Sequence, residues 1–279
     1  MDRLTAVPAD RALDRRGEEK TVVRATQHSR QVWERFWDQE KPIEEVYANS
    51  PRIVEQIEKL GPVAGKWILE VGAGSGRDGF LLAEQGGRVI FLDYAINSLT
   101  LIQTIAQRNG RSVALVRGDA FRLPFKEACL DLVYHQGLLE HFTAPQKILM
   151  ENRRVLKVGG HAIADVPQRY HPYTLVKHIL IAMNRWFAGW ETEFSRSQLE
   201  RLFRKVDLDP VGFYGDWMRP SFGYRAMREL LKKISVRLPL YPASSPLGAK
   251  LRLKAAEWFR RSRWAHYTYM DIGVIGTRR

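Results

Sequence analysis

The 279-residue chain carries a single cysteine, Cys129. One thiol excludes an intramolecular disulfide and any zinc site built on cysteines, and it suits a reducing compartment. Metal-ligand spacing is missing as well. The seven histidines, at positions 28, 135, 141, 161, 171, 178 and 266, form no H-E-x-x-H pattern, so no metal is expected. The apolar stretch at 170–190 is broken by Lys177, His178, Asn184 and Arg185 and does not read as a membrane span. Ten of the first 20 residues are charged, which leaves no room for the apolar core of a signal peptide; 1–20 reads as a disordered tail on a cytoplasmic chain. Acidic side chains are in the minority, 31 against 44 basic, for a net charge of +13. With 45% hydrophobic and 11% aromatic residues, the rest is not disordered and has enough apolar side chain for a sizeable core.

From 21 to 62 the pattern is helical. Val32, Phe36 and, beyond Pro42, Ile43, Val46, Tyr47, Ile53 and Ile57 recur at three- and four-residue spacings, which predicts an N-terminal helical cover. Short apolar runs then alternate with helix-length segments: 67–71, 88–93, 112–117, 130–134 and 160–166. Each run is too short for a helix, and the alternation predicts an α/β fold with a parallel sheet covered by helices on both faces. Past Val166 come a helical insert at 170–190, a covering helix at 197–206, a sixth strand at 210–214, a long insert at 217–265 and a seventh strand at 267–276.

The first strand runs into Glu70-Val71-Gly72-Ala73-Gly74-Ser75-Gly76-Arg77-Asp78-Gly79, and Asp93 closes the second. Glycines let the backbone turn tightly and approach a ligand, and an acid about 20 residues on can take ribose hydroxyls, so this is a nucleoside site. Gly74-x-Gly76-x-x-Gly79 also fits a dinucleotide loop. Glu70, however, would repel a pyrophosphate, whereas S-adenosylmethionine brings an ammonium and a sulfonium. The third strand ends in Arg117-Gly118-Asp119-Ala120, where Asp119 can accept from an adenine amino group, and the fourth continues Tyr134-His135-Gln136-Gly137-Leu138-Leu139-Glu140-His141.

These four motifs in order resemble the class I S-adenosylmethionine-dependent methyltransferases, in the type 11 or UbiE-like branch that acts on small molecules and lipids. The resemblance covers 65–166 strongly and the later strands weakly. It implies a Rossmann-like, seven-stranded, mostly parallel sheet with an antiparallel last strand, making 63–279 the methyltransferase domain. It implies that Glu70, Gly72, Ala73, Gly74 and Gly76 frame the methionine part of S-adenosylmethionine. Asp93 and Tyr94 would serve the ribose and Asp119 and Ala120 the adenine, with His135 and Gln136 beside the reacting methyl. The fourth strand lacks the N/D-P-P-Y/F loop of nucleic-acid amino-methylating enzymes and has no Pro-Cys nucleophile after it.

Plainer roles stand beside these. Asp93 can cap the following helix, His141 can be a packed helical residue, and Cys129 reads as packed rather than nucleophilic. His141 and His135 are the catalytic-base candidates if the acceptor is a hydroxyl; His171 and Glu191 flank the first insert as substrate-ligand candidates. The second insert holds twelve Lys and Arg against Glu229 and Glu257, so +10 of the net charge sits in one segment. Near Lys250–Arg263, Leu251, Ala255, Trp258 and Phe259 share a helical face ringed by cations. Such inserts suit a packed lid with a solvated basic face, peripheral contact with an anionic membrane at its inner face, or an anionic carrier, with nucleic acid less favoured. The expected function is methyl transfer to a small-molecule, glycan or lipid-linked acceptor at oxygen. The alternatives are an NAD(P)-dependent oxidoreductase or epimerase and a non-catalytic cofactor-binding scaffold.

Overall fold

A computed structural model describes residues 33–34, 36–37, 51–183, 191–217, 220–239, 246–262 and 264–279. The expected tail at 1–20, most of the expected cover at 21–50 and the end of the first insert at 184–190 lie outside these residues. The elements in chain order are α1 (Arg52–Lys59), β1 (Trp67–Val71), α2 (Arg77–Glu84), β2 (Arg88–Asp93), α3 (Ile96–Arg108), β3 (Ala114–Arg117) and β4 (Leu130–Gln136). They continue with α4 (Pro145–Val155), β5 (Leu156–Pro167), α5 (Pro172–Ala182), α6 (Arg196–Lys205), β6 (Leu208–Asp216), α7 (Phe222–Lys232), α8 (Pro246–Arg260) and β7 (Asp271–Arg278).

The strands form one seven-stranded sheet in the order β3-β2-β1-β4-β5-β7-β6. β1 to β5 are mutually parallel where they pair, and β7 runs antiparallel to both β5 and β6. Helices cover both faces. On one, Ile53 and Ile57 of α1, Leu82 of α2 and Ile102 of α3 pack on Ile68 and Phe91; on the other, Ile148 of α4 and Leu199 and Phe203 of α6 pack on Leu69 and Val133. Burial on both faces explains why the strands read as continuous apolar runs rather than alternating ones.

Local chemistry sets the helix starts. Ser195 accepts from the Gln198 amide while the Gln198 side chain accepts from the Ser195 amide, a reciprocal cap that begins α6. α4 and α5 open on Pro145 and Pro172, where the missing N–H costs nothing. Two strand starts differ from expectation by four residues, the others by two or fewer. β5 begins at Leu156, directly from the end of α4, because Gly159 adopts φ +80° and carries the chain through Gly160 into the sheet. β7 begins at Asp271, because 265–267 form a single helical turn.

Parallel β1–β5 bring their carboxyl ends to one edge of the sheet. Antiparallel β7 delivers its first residue there too: Asp271 is in register with Pro167 of β5 and Asp216 of β6. Ligands of open α/β sheets bind at such an edge.

Candidate active site

A cavity of about 440 Å³ opens at this edge, within the usual size for a small-molecule site. Its first half is built largely from backbone. After β1 the chain turns through Gly72, Gly74 and Gly76, all at positive φ, with the amides of Gly72 and Ala73 donating to the Leu92 carbonyl at 2.8 and 3.1 Å. At Gly74 only glycine fits, because a Cβ would lie 2.8 Å from the Trp37 ring. Trp33 and Trp37, four residues apart, line the cavity over this loop.

Asp93 at the end of β2 fastens the same loop. Its Oδ2 accepts from the Gly74 amide at 3.0 Å and the Ser98 hydroxyl at 2.9 Å, and its Oδ1 accepts from the Ala95 amide at 2.9 Å. Burial raises its pKa and these donors pull it back. The cap of α3 is Ala95, so Asp93 acts through a tight turn ahead of the helix rather than as its N-cap. Tyr94, Asp119, Ala120 and Gln136 also line this half. Asp119 Oδ1 accepts from the Phe121 amide at 2.9 Å.

The second half is built from charged side chains brought together from distant positions. Arg52 of α1 donates to both oxygens of Asp165 at 2.9 and 2.6 Å and lies 3.3 Å from Asp271. Lys177 of α5 bridges Glu191 at 2.7 Å and Glu193 at 2.6 Å. Burial pushes the Lys177 pKa down, but the two carboxylates outweigh it and the net shift is upward. Burial raises Asp271 to about 6 against the pull of Arg52, and raises Glu140 well above the usual range with help from Glu191. His171, Tyr173, Asp216, Trp217 and Arg225 complete the wall.

His141 lies on the single helical turn after β4 and lines the cavity. Its Nε2 is 4.0 Å from Glu140 Oε1, and its ring meets Trp33 edge-on at 5.1 Å. Two expected site residues are placed elsewhere. His135 does not line the cavity and is fully buried. Along β4, Val133 faces the α4–α6 side, and the two-residue period carries His135 to that face. Burial drops its pKa to about 3, which keeps the ring neutral, and neither ring nitrogen has a hydrogen-bond partner. Gly76 lies behind the wall at the start of α2, where a Cβ would press on Phe91 and Ile102, so it shapes the turn. Cys129 sits outside the cavity and bonds to the Lys126 carbonyl.

The sequence reading did not single out Arg52, Asp165, Lys177, Asp216, Asp271, Trp33 or Trp37 for the site. The signal for the aspartates was positional, since each stands at a strand end on one edge. The signal for the tryptophans was their i, i+4 spacing. Among the described residues no group of His, Cys, Asp and Glu is arranged to hold a metal ion.

Nine carboxylates line the cavity, Glu70, Asp78, Asp93, Asp119, Glu140, Asp165, Glu191, Asp216 and Asp271, against Arg52, Arg77, Lys177 and Arg225. Glu70 is buried, and burial together with the nearby Asp78 charge raises its pKa well above the usual range. Such a wall suits a cationic ligand and disfavours a pyrophosphate. A dinucleotide fold would also need its second half as parallel strands, where β7 here runs antiparallel. Fold and lining together define the class I S-adenosylmethionine-dependent methyltransferases, whose donor the glycine cradle and acidic wall fit.

Comparison with known proteins leads to the same class. Residues 69–164 match the Methyltransf_11 family model, a methyltransferase domain. A demethylmenaquinone methyltransferase of Renibacterium salmoninarum is 31% identical over 116 residues, 42% of this chain and 46% of that protein. The chain thus spans about half the length of that relative. A ubiquinone biosynthesis O-methyltransferase of Hahella chejuensis is 25% identical over 63% of this chain and 76% of that one. In fold, a crystal structure of a SAM-dependent methyltransferase from Thermotoga maritima superposes with a TM-score of 0.60 at 18% identity, covering 90% of this chain and all of that one. Residues 69–164 thus carry a methyltransferase domain of the Methyltransf_11 type, and the chain has the fold of the Thermotoga maritima S-adenosylmethionine-dependent methyltransferase.

Proposed function

We propose that the enzyme methylates a hydroxyl oxygen of a small-molecule, glycan or lipid-linked acceptor, with His141 as general base. The observation that carries this reading is the position of His141. It lines the cavity on the turn after β4, the strand between β1 and β5, and so stands between the glycine turn and the charged second half. The O-methyltransferase among the relatives supports oxygen as the atom methylated. Peripheral contact with an anionic membrane through the basic inserts belongs to the same reading.

In this reading Glu70 and the Gly72–Gly76 turn hold the methionine end of the donor, Asp93 and Tyr94 the ribose, Asp119 and Ala120 the adenine, and Gln136 lies near the methyl. Asp93 lines the cavity, where its carboxylate is the acceptor offered to a ribose hydroxyl. S-adenosylmethionine supplies a methyl on a sulfonium already activated toward attack. The protein's work is therefore to orient the acceptor, exclude water and remove one proton. His141 would take that proton at a ring nitrogen as the acceptor oxygen is methylated. Trp33 and Glu140 fix the ring's plane against the wall.

Transfer of labelled methyl from S-adenosylmethionine to candidate phenol and sugar acceptors tests the reading. His141→Ala is expected to lower turnover about a hundredfold or more, while donor affinity by calorimetry stays unchanged. Equal turnover at saturating acceptor would refute the role of His141.

A further inference from the structure

Among the described residues, fourteen of the eighteen large apolar side chains that are exposed lie from Tyr170 to Tyr267, and all of these but Val211 of β6 stand on the segments between β5, β6 and β7. On α5 it forms one stripe: Leu175, Ile179 and Met183, four residues apart, are 69%, 53% and 52% exposed. The opposite face of α5 presents Tyr173, Thr174 and Lys177 to the cavity. Lys177 is locked inward by Glu191 and Glu193, which fixes the stripe outward.

α7 repeats the arrangement. Arg225 lines the cavity, while Met227, Leu230 and, just past the helix, Ile234 are exposed at three- and four-residue steps. On α8, Leu251 and Trp258, two turns apart, are 60% and 75% exposed. Exposed Lys232, Lys233, Lys250, Lys254 and Arg260 stand among them. No helix of the described residues is long and apolar enough to cross a membrane.

Apolar stripes set among cations need a partner that is both anionic and apolar a few ångströms down. A polyanion such as RNA would neutralise the cations but leave Leu, Ile, Met and Trp in water; a bilayer surface with anionic headgroups satisfies both. We propose that the outward faces of α5, α7 and α8 dock the protein on an anionic phospholipid bilayer, and that the cavity, lined by the inner faces of α5 and α7, draws an acceptor with an apolar tail from that bilayer. This rests on the acceptor reading above and names the source of the acceptor.

Flotation with phosphatidylcholine vesicles containing phosphatidylglycerol tests the docking without knowledge of the acceptor. The protein is expected to float with these vesicles at low salt, to float less but still measurably at high salt, and to bind pure phosphatidylcholine weakly. Leu175→Ser, Ile179→Ser and Met183→Ser combined should lower partitioning at least tenfold and abolish the salt-resistant part. Lys250→Gln, Lys254→Gln and Arg261→Gln combined should leave mainly that part. Calorimetry with S-adenosylmethionine confirms that each variant folds, since none of these side chains lines the cavity. The proposal is overturned if the wild type ignores anionic vesicles at low salt, if the apolar variant floats as well as the wild type, or if the protein binds RNA but not vesicles. A dimer in solution that the apolar variant dissolves would overturn it too. Labelled methyl transfer to a soluble acceptor without flotation would sink the docking and leave the methyl-transfer reading standing. Flotation without transfer to any acceptor would do the reverse.

Discussion

The two halves of the cavity are made by different means. The half that the proposed function gives to the donor is assembled from residues 70–141 by turns, main-chain amides and one carboxylate that fastens the loop locally. The half it gives to the acceptor is held by ion pairs such as Arg52–Asp165, 113 residues apart, and by Lys177 across the first insert. A ligand shared by a whole class can be held by backbone geometry that many sequences produce. An acceptor particular to one enzyme needs side chains, and these can change without disturbing the turn. The family match falls on the first half: it ends at residue 164, before Asp165.

If that division holds, damage to one half should spare the other. The largest expected effect is on the acceptor side. Lys177→Met leaves Glu191 and Glu193 buried without their cation, which should cost about 3–5 kcal/mol of stability at neutral pH. Thermal unfolding at neutral pH measures the loss, and at permissive temperature calorimetry should give unchanged donor affinity. A Lys177→Met protein that melts like the wild type would erase the contrast.

The seam between the halves offers a second test at His135, six residues before His141. Folded His135 titrates near 3 and the unfolded ring near 6.5, so the unfolded chain binds a proton that the fold refuses. Its contribution is intact above the unfolded value and is lost as pH falls, by roughly 3 kcal/mol at pH 4. Urea unfolding of His135→Leu across pH 7.5 to 4 should show a flatter acid limb, with turnover close to wild type. A hundredfold fall in turnover would instead return His135 to the chemistry.

On the donor side, Asp93→Ala should weaken S-adenosylmethionine binding by about 1.5–3 kcal/mol through lost charge-assisted hydrogen bonds. The acceptor-side ion pairs should not notice. Calorimetry gives the first quantity, and unchanged vesicle binding checks the second.

Much of this was legible in the sequence for physical reasons. The strands of a helix-covered sheet are short and apolar, so all seven were visible as runs, and a loop that turns on glycines carries its signature in consecutive residues. What could not be read depended on which way a strand faces and on what meets it from afar. The run Leu130–Gln136 is apolar on both faces, so alternation gave no sign that His135 points away from the cavity. Nothing near Arg52 announces Asp165 or Asp271, because the pairing exists only once α1 lies across the sheet edge. The helical pattern was read on Val32 and Phe36, and nothing near Trp37 in sequence points to Gly74 beneath its ring.

The position of β7 bears on how the protein comes to exist in time. β6 pairs only with β7, and β7 follows β6 by the whole second insert. At about 5–20 residues per second, a ribosome takes several seconds to cross that insert. During that interval β6 has no neighbour and the outer edge of β5 is bare, while β1 to β4 already have every strand they pair with. The glycine-turn half can therefore be complete, and in the proposed reading able to capture S-adenosylmethionine, before Asp271 arrives to meet Arg52 and close the other half. A nascent chain halted in the insert would be a donor-binding protein with an open sheet edge, exposed to wrong pairing, and bound donor would steady the part already formed.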